Sequence, residues 1–370
     1  MAVYLIAFAF IFGVRLIRAS GCRVDDTKDH NWLIMAWVVL SLIEGFRAYS
    51  VGTDTRTYVK AFENQNLSNF ELGFQLLNRA VALCSRNGTF FLLVTSFIIN
   101  GLIIRAIDKM SRDDAVSLFI YMSLYMYFNA FNAMRQYIAV GLVMNAYVEL
   151  RENRNVKFTL LQILAILFHN SAIVGFMLIP MYLFFRKYGK ERKMKLTAFD
   201  QWKRKQEATL IPLMKRALIP VLAVLVFSIG FNVMLRVVIA VYPKYSYYLT
   251  GDYAGGTAAI QQKVVYSAFL LVYLLFSEEE EWLLMVSYAV ALALLMSKMS
   301  MLSRFIWYFD IFVMFAVAEV WHTRYISWET LTIVRICIGL ACFAFMLYYL
   351  INGVQRVTPY QFIFLKNMKW

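Results

Sequence analysis

The sequence predicts an all-α polytopic membrane protein with about twelve transmembrane segments, one of them a short re-entrant-like helical hairpin. Of the 370 residues, 61% are hydrophobic and 16% are charged, which is far more apolar than an ordinary soluble domain. Apolar runs near the ~20 residues needed to cross a bilayer recur from the first residue to the last. We therefore expect a single transmembrane domain over 1–370 and no sizeable soluble domain.

Apolar runs between charged gaps give the individual helices. Besides the run that holds His169, helices are predicted near 1–17, 31–46, 89–107, 115–131, 133–150, 217–241, 264–277, 282–297, 305–320 and 329–351. The first run has no basic stretch before it and no cleavage site after it, so we interpret it as a retained helix.

Basic residues set the orientation. The net charge is +14, and much of the excess lies in 186–216, which holds eleven Lys or Arg against three acids. In a membrane protein this pattern indicates a cytoplasmic loop before it indicates nucleic acid, and we expect no nucleic-acid partner. Loops at 47–88 and 242–263 then fall outside.

A histidine interrupts the apolar run 158–185, in the stretch "FHNSAIV". As one helix this run would be about 42 Å long. It would put the basic segment before it and the basic loop 186–216 after it on opposite faces of the membrane. A hairpin with His169 and Asn170 at its tip keeps both loops cytoplasmic. Non-helical backbone at this depth must be buried in protein or beside water, so the tip is expected to line an external cavity. The alternative is a histidine hydrogen-bonded within a helix bundle.

Several charged side chains fall on the external side by this topology, and arginines dominate them. Each arginine alone could be an interfacial residue with its charge in water, but several on one face favour an anionic ligand, because Arg binds phosphate through a planar fork. The candidate pyrophosphate-binding residues are Arg47, Arg56, Arg135, Arg236 and Arg304, and the candidate catalytic bases are His169 and Asp54.

This set of residues fits transfer from a phosphate-activated donor. The arginines would stabilise a pyrophosphate leaving group, and the base would accept a proton from the attacking hydroxyl. The sequence has no GxxxxGK[ST] motif and no external DxD motif, which favours a lipid-linked donor over a nucleotide sugar. Cysteine and histidine spacing indicates no metal site, and no cofactor is expected.

Five blocks, in this order, resemble the EpsG-type branch of the Wzy polysaccharide polymerases: "SVGTDTRTYVKAF" with "ELGFQLLNRAV", "NAMRQYIAVGLVMNAY", "FHNSAIVGFMLIPMYLF", "SRFIWYFDIFVMF" and "VTPYQFIF". The resemblance implies a GT-C-like architecture and a metal-independent glycosyltransferase of the bacterial inner membrane with its active site facing the periplasm or exterior. It implies joining of undecaprenyl-pyrophosphate-linked oligosaccharide donor and acceptor units, in contact with membrane lipid, into O-antigen, capsule or exopolysaccharide. A Wzz-type chain-length regulator and the flippase are the implied protein partners.

Two other classes remain open. A lipid-linked oligosaccharide flippase would need a similar cationic cavity, but the sequence shows no two-fold internal repeat. A membrane-bound O-acyltransferase would also bury a histidine, but it would open that histidine toward a cytoplasmic thioester, against the predicted topology.

Overall fold

The computed structural model describes residues 1–21, 27–184, 259–276, 281–295, 303–323 and 326–365, together with the single residues 186, 218, 222 and 236. These residues divide into two compact units. The first unit comprises Met1–Ile173 and Ile333–Trp370, and the second comprises Val174–Thr332. Regular structure in the described ranges is helical, apart from one isolated bridge between Arg47 and Phe362.

Most of the candidate site residues lie in the first unit. Its helices are α1 (Ala2–Gly21), α2 (His30–Gly45), α3 (Thr55–Glu63), α4 (Leu72–Cys84), α5 (Gly88–Met110), α6 (Asp114–Ser123), α7 (Met126–Ala130), α8 (Met134–Arg151) and α9 (Asn155–Phe168). A 3₁₀ helix, Asn170–Met177, follows α9 and runs into the second unit.

The described helices of the second unit are α10 (Ala259–Phe276), α11 (Glu281–Leu295), α12 (Ser303–Asp310) and α13 (Val313–Trp321). The last long helix, α14 (Trp328–Ile351), begins in the second unit and ends in the first. Short 3₁₀ turns at Val354–Arg356 and Ile363–Leu365 complete the C-terminal segment, by which we mean residues 353–365.

Three helices among the described residues are long and apolar enough to cross a membrane alone: α1, α5 and α14. Several shorter apolar helices accompany them, α2, α6 and α9 among them. The all-helical membrane fold is therefore confirmed, whereas the count of about twelve spans and the GT-C-like architecture stay predictions. The predicted loop at 186–216 lies outside the described residues except for Arg186, and that at 242–263 overlaps them only where α10 begins, at Ala259.

Two predicted helices are broken in the structure. The run 115–131 divides into α6 and α7 at Tyr125, which has a left-handed φ of 68° and whose hydroxyl donates to the Val354 carbonyl at 3.0 Å. The run 305–320 divides into α12 and α13 at a turn over residues 311–312. A non-glycine residue with positive φ needs stabilising contacts from its surroundings. For Tyr125 this contact comes from the C-terminal segment, far away in sequence.

The helices of the first unit end in two groups. At one end, ion pairs join basic residues of α5 and of the segment before α2 to acids of neighbouring helices, as in Lys28 with Asp114 at 2.9 Å and Arg105 with Glu149 at 3.3 Å. At the opposite end α2 and α9 finish and α8 begins, and we call it the site end. Residues 152–154 join α8 to α9, and so short a connection makes them antiparallel neighbours.

Candidate active site

Arg47 lies in the interior of the site end. Its side chain is fully buried, and its guanidinium donates to the backbone carbonyls of Glu44 and Phe131, the latter at 3.1 Å, and to Thr55 Oγ1 at 3.3 Å. It also lies 4.8 Å above the Phe131 ring. These contacts join the end of α2 to the start of α3 and to the connection before α8. Its role in binding pyrophosphate stays a prediction, and this placement favours a positioning role.

The loop after Arg47 is held in one conformation by a glycine and an amide. Gly52 has a φ of 96°, and a Cβ added there would lie 2.6 Å from Thr55 Oγ1 and 2.7 Å from Asn132 Oδ1. Asn132 Oδ1 also accepts the Asp54 backbone N–H at 3.3 Å. Asp54 is thereby fixed immediately before α3 with an exposed side chain that makes no capping bond.

The C-terminal segment lies against this loop. Asn132 Nδ2 donates to both the backbone and side-chain oxygens of Gln355 at 2.9 Å, and the Gly52 N–H donates to the Arg356 carbonyl at 2.8 Å. The Ala48 N–H donates to the Gln361 carbonyl at 2.7 Å, beside the isolated bridge. The quoted blocks "SVGTDTRTYVKAF" and "VTPYQFIF" are therefore neighbours in space.

Arg135, the second residue of α8, lies in a partly sheltered position formed by α3 and the start of α4. It forms an ion pair with Glu71, its Nε lies 3.5 Å from the Tyr58 hydroxyl, and its guanidinium lies 4.8 Å above the Phe70 ring. About a fifth of the side chain (21%) remains accessible. The Nη2 atom takes part in neither of these two polar contacts.

The pKa of Tyr58 is influenced by three charged residues of this region. Burial raises the pKa of Tyr58, Arg135 opposes that rise, and the carboxylates of Asp54 and Glu71 add to it. Asp54 lies one helical turn before Tyr58, and the Tyr58 N–H donates to the Asp54 carbonyl at 3.1 Å. Asp54, the candidate base, and Arg135, the candidate pyrophosphate ligand, therefore both influence the pKa of the Tyr58 hydroxyl.

His169 ends α9, and the chain reverses there. Gln162 Nε2 donates to the Ala172 carbonyl at 2.5 Å, although ten residues of continuous α-helix would separate these residues by about 15 Å. The turn at "HNS" lies where the tip of the hairpin was predicted, and the hairpin and its depth in the membrane stay predictions. His169 is buried, with 9% of its surface accessible.

The Nδ1 atom of His169 contacts Ser171 twice. The Ser171 backbone N–H donates to Nδ1 at 3.3 Å, and the Ser171 hydroxyl lies 2.6 Å from the same nitrogen. A backbone N–H can only donate, so this contact favours a neutral imidazole with its proton on Nε2, whereas the hydroxyl contact fits either tautomer. In this state Nε2 is a hydrogen-bond donor and no base.

A close approach of α4 and α9 brings His169 and Arg135 to the same region. A Cβ on Gly73 would lie 2.8 Å from the Leu167 carbonyl oxygen, so the start of α4 packs directly against the end of α9. Gly73 is two residues from Glu71, and Leu167 is two residues from His169. Glu71, paired with Arg135, therefore lies near the hairpin tip.

Three more predicted ligands remain. Arg56 is exposed in the first turn of α3. Arg304 is a helical residue of α12 whose side chain lies outside the described residues, and Arg236 is described only as one exposed helical residue. Their binding roles stay predictions. Among the residues that the structure describes, no group of three or more His, Cys, Asp or Glu is placed to hold a metal ion.

A comparison with protein-family models gives one match, to the EpsG family, over residues 30–362. The chain belongs to the EpsG family. No curated protein and no solved structure matches it. The match begins with α2 and ends within the C-terminal segment, so every residue of the site end discussed above is part of the EpsG-family region. Membership indicates a membrane protein of the polysaccharide-polymerase type, similar to glycosyltransferases.

Sequence reasoning missed three residues of this EpsG-family site. Glu71 neutralises Arg135, although the sequence analysis expected few carboxylates among the arginines. Asn132 and Gln355 hold the Asp54 loop. Each stands in or beside a block quoted for the family resemblance, which was the available signal, but nothing in sequence spacing pairs them.

Proposed function

We propose that this protein is a polysaccharide polymerase that joins undecaprenyl-pyrophosphate-linked oligosaccharide repeat units on the external face of the bacterial inner membrane. The supporting observation is the environment of Arg135. A guanidinium oriented by Glu71, Tyr58 and Phe70, with about a fifth of its side chain accessible, lies at the predicted external end of an EpsG-family helix unit.

In the proposed reaction a hydroxyl oxygen of the acceptor sugar attacks the anomeric carbon of the donor. The bond from that carbon to the pyrophosphate oxygen breaks, and undecaprenyl pyrophosphate leaves with the bonding electrons. Arg135 binds the leaving group, where negative charge develops, and such preorganised contacts strengthen in the transition state. The proton of the attacking hydroxyl passes to a base.

Asp54 is the base in this proposal. Its carboxylate is exposed on a loop that Asn132 and Gly52 hold rigid, and a carboxylate on a fixed backbone can accept a proton at a defined place. The Ser171 N–H contact of His169 favours a different role for this residue, donation of the Nε2 proton to a phosphate oxygen. Arg47 positions the loop that carries Asp54.

Arg304 and Arg236 belong to the proposal as further ligands of the donor pyrophosphate, on the strength of the predicted topology. A Wzz-type chain-length regulator and the flippase are the proposed partners, because the substrate must be delivered to the external face and the length of the product must be set. The reaction as written uses no metal and no cofactor.

The test is deletion of the gene, followed by analysis of surface polysaccharide on a gel and rescue with plasmid-borne variants. A product of single repeat units supports the polymerase. Absence of exported product identifies a flippase, and polymer of normal length that lacks acyl groups identifies an O-acyltransferase. The Asp54→Asn variant should leave single repeat units on the surface, because it keeps the shape of the side chain and removes the base.

A further inference from the structure

The proposed reaction brings two pyrophosphates to one protein. The donor pyrophosphate leaves, whereas the acceptor repeat unit keeps its own pyrophosphate and lipid throughout. Each pyrophosphate carries negative charge that positive groups of the protein must balance at the external end. Arg135 and its neighbours supply one site, so the inference below rests on the proposed function and concerns the second site.

Two other arginines lie at the site end, and their surroundings differ from those of Arg135. Arg56 and Arg356 are both exposed. Among the residues that the structure describes, neither guanidinium has an ion pair or hydrogen bond, whereas Arg135 is already paired with Glu71. Two exposed guanidinium groups without an ion pair among the described residues are suited to an anion.

The backbone that carries Arg356 is strained and firmly held. Gln355 and Arg356 have φ values of 61° and 53°, in the left-handed region that non-glycine residues seldom occupy. Hydrogen bonds to the backbone carbonyls of residues 354–357 hold this conformation, and they come from Tyr125, Asn132, Gly52 and Tyr4. Such strain persists where surrounding contacts overdetermine it, and it clusters at ligand sites.

The same contacts bring the backbones that carry the two arginines close together. The side-chain amide of Asn132 accepts the Asp54 N–H at 3.3 Å and donates to the Gln355 carbonyl at 2.9 Å. Arg56 is two residues after Asp54, and Arg356 follows Gln355. One amide therefore bridges the two backbone segments that bear the exposed arginines.

We propose that Arg356, together with Arg56, forms a second anion site that binds the pyrophosphate of the acceptor lipid. The acceptor pyrophosphate keeps its charge through the reaction, so this site contributes uniform binding and little transition-state stabilisation. Loss of Arg356 should therefore raise the KM for the acceptor and leave kcat nearly unchanged, whereas loss of Arg135 should lower kcat. The chemistry recognised is a lipid-borne phosphate group.

Binding of radiolabelled undecaprenyl pyrophosphate to the purified full-length protein tests this directly, in nanodiscs of phosphatidylcholine. We expect two molecules bound to the parent protein. Arg356→Ala should weaken one site about 10- to 100-fold and spare the other, as loss of one charge-assisted contact would. Arg135→Ala should weaken the other site, and the double variant should weaken both.

Arg86→Ala is the matched control. Arg86 is an exposed arginine of the same external loop, and it lies two residues before Gly88, whose N–H donates to Glu63 at the far end of α3 from Arg56. This variant should bind two molecules with parental affinity. Parental binding at both sites by Arg356→Ala would overturn the proposal, and a matching thermal midpoint shows that the variant is folded.

A second arm distinguishes the source of the phosphate. In nanodiscs that contain phosphatidylglycerol, undecaprenyl pyrophosphate should still occupy both sites. Displacement from the Arg356 site alone would show that this site takes a phospholipid headgroup, against the proposal. Because binding is measured without polymerisation, a strain without a polymer defect would refute the proposed function and leave the two-site result intact.

Discussion

Replacement of Arg135 by Ala tests the proposed leaving-group contact. The variant removes a guanidinium that is 21% accessible, which is sheltered enough for its charge to act more strongly than that of a surface residue. One charge-assisted contact to a developing oxyanion contributes roughly 2–4 kcal/mol in the transition state. We therefore expect chain extension to slow by roughly 10²–10³-fold.

The same variant also leaves Glu71 without its partner. The Glu71 carboxylate is 15% accessible, and an orphaned group of this kind costs roughly 1–3 kcal/mol of folding stability. A fall in activity could then reflect a fall in stability. Combining Arg135→Ala with Glu71→Gln separates the effects, because the amide tolerates the loss of the cation: the thermal midpoint should recover and the rate should not.

Arg135→Lys gives an intermediate result by this reasoning. Lysine keeps the charge but loses both the bidentate fork and the stacking on Phe70, so about a tenth of the activity should remain. The assay is the rate of polymer formation from purified lipid-linked repeat units, with Arg79→Ala, an exposed arginine of α4, as the control. A parental rate in Arg135→Ala, together with a lower thermal midpoint, would refute the reasoning and make the ion pair structural.

Three further predictions concern the loop, the hairpin tip and the topology. His169→Ala should abolish extension while His169→Gln retains polymer detectable on a gel, since the glutamine amide can replace the Nε2 donor; no polymer from His169→Gln would restore the histidine as base. Gly52→Ala should lower the free energy of unfolding by at least roughly 1–3 kcal/mol in thermal melts, because of its φ of 96° and two contacts below 3 Å; Gly13→Ala, where a Cβ meets nothing within 4 Å, is the neutral control, and equal melts would contradict the strain argument. In a background without native cysteines, a cysteine at Asn170, which is exposed, should react with an impermeant external reagent and one at Thr197 should not; the reverse pattern would invert the side assignment.

Helix positions could be predicted because they depend on local composition. The expected helices 89–107, 133–150 and 329–351 correspond to Gly88–Met110, Met134–Arg151 and Trp328–Ile351. The break at Tyr125 could not be predicted, since the run around it is uninterrupted in hydrophobicity. The hydroxyl of Tyr125 donates to the carbonyl of Val354, which lies 229 residues away, and local sequence does not reveal such a contact.

The turn after α9 was predictable for a different reason. Charge counts on either side of the run 158–185 constrained the topology, and the reversal of the chain at His169 follows from the Gln162 to Ala172 contact. The internal geometry of the tip needed coordinates. The direction of the Ser171 N–H favours Nδ1 as the acceptor, and this preference changes the proposed role of the histidine from base to donor.

The external arginines form one like-charged group in the sequence, and the structure separates them by electrostatic surroundings. Arg47 is fully buried and satisfied by carbonyl oxygens, so its charge is committed to the fold. Arg135 is balanced by Glu71 and remains partly accessible, which suits a contact that strengthens only as charge develops on a leaving group. Arg56 and Arg356 are exposed and have no ion pair among the described residues, which suits steady capture of a phosphate that does not react. In the proposed reaction one pyrophosphate leaves and the other stays on the acceptor, so the Arg135 site must stabilise charge that develops and the Arg356 site must bind charge that does not change.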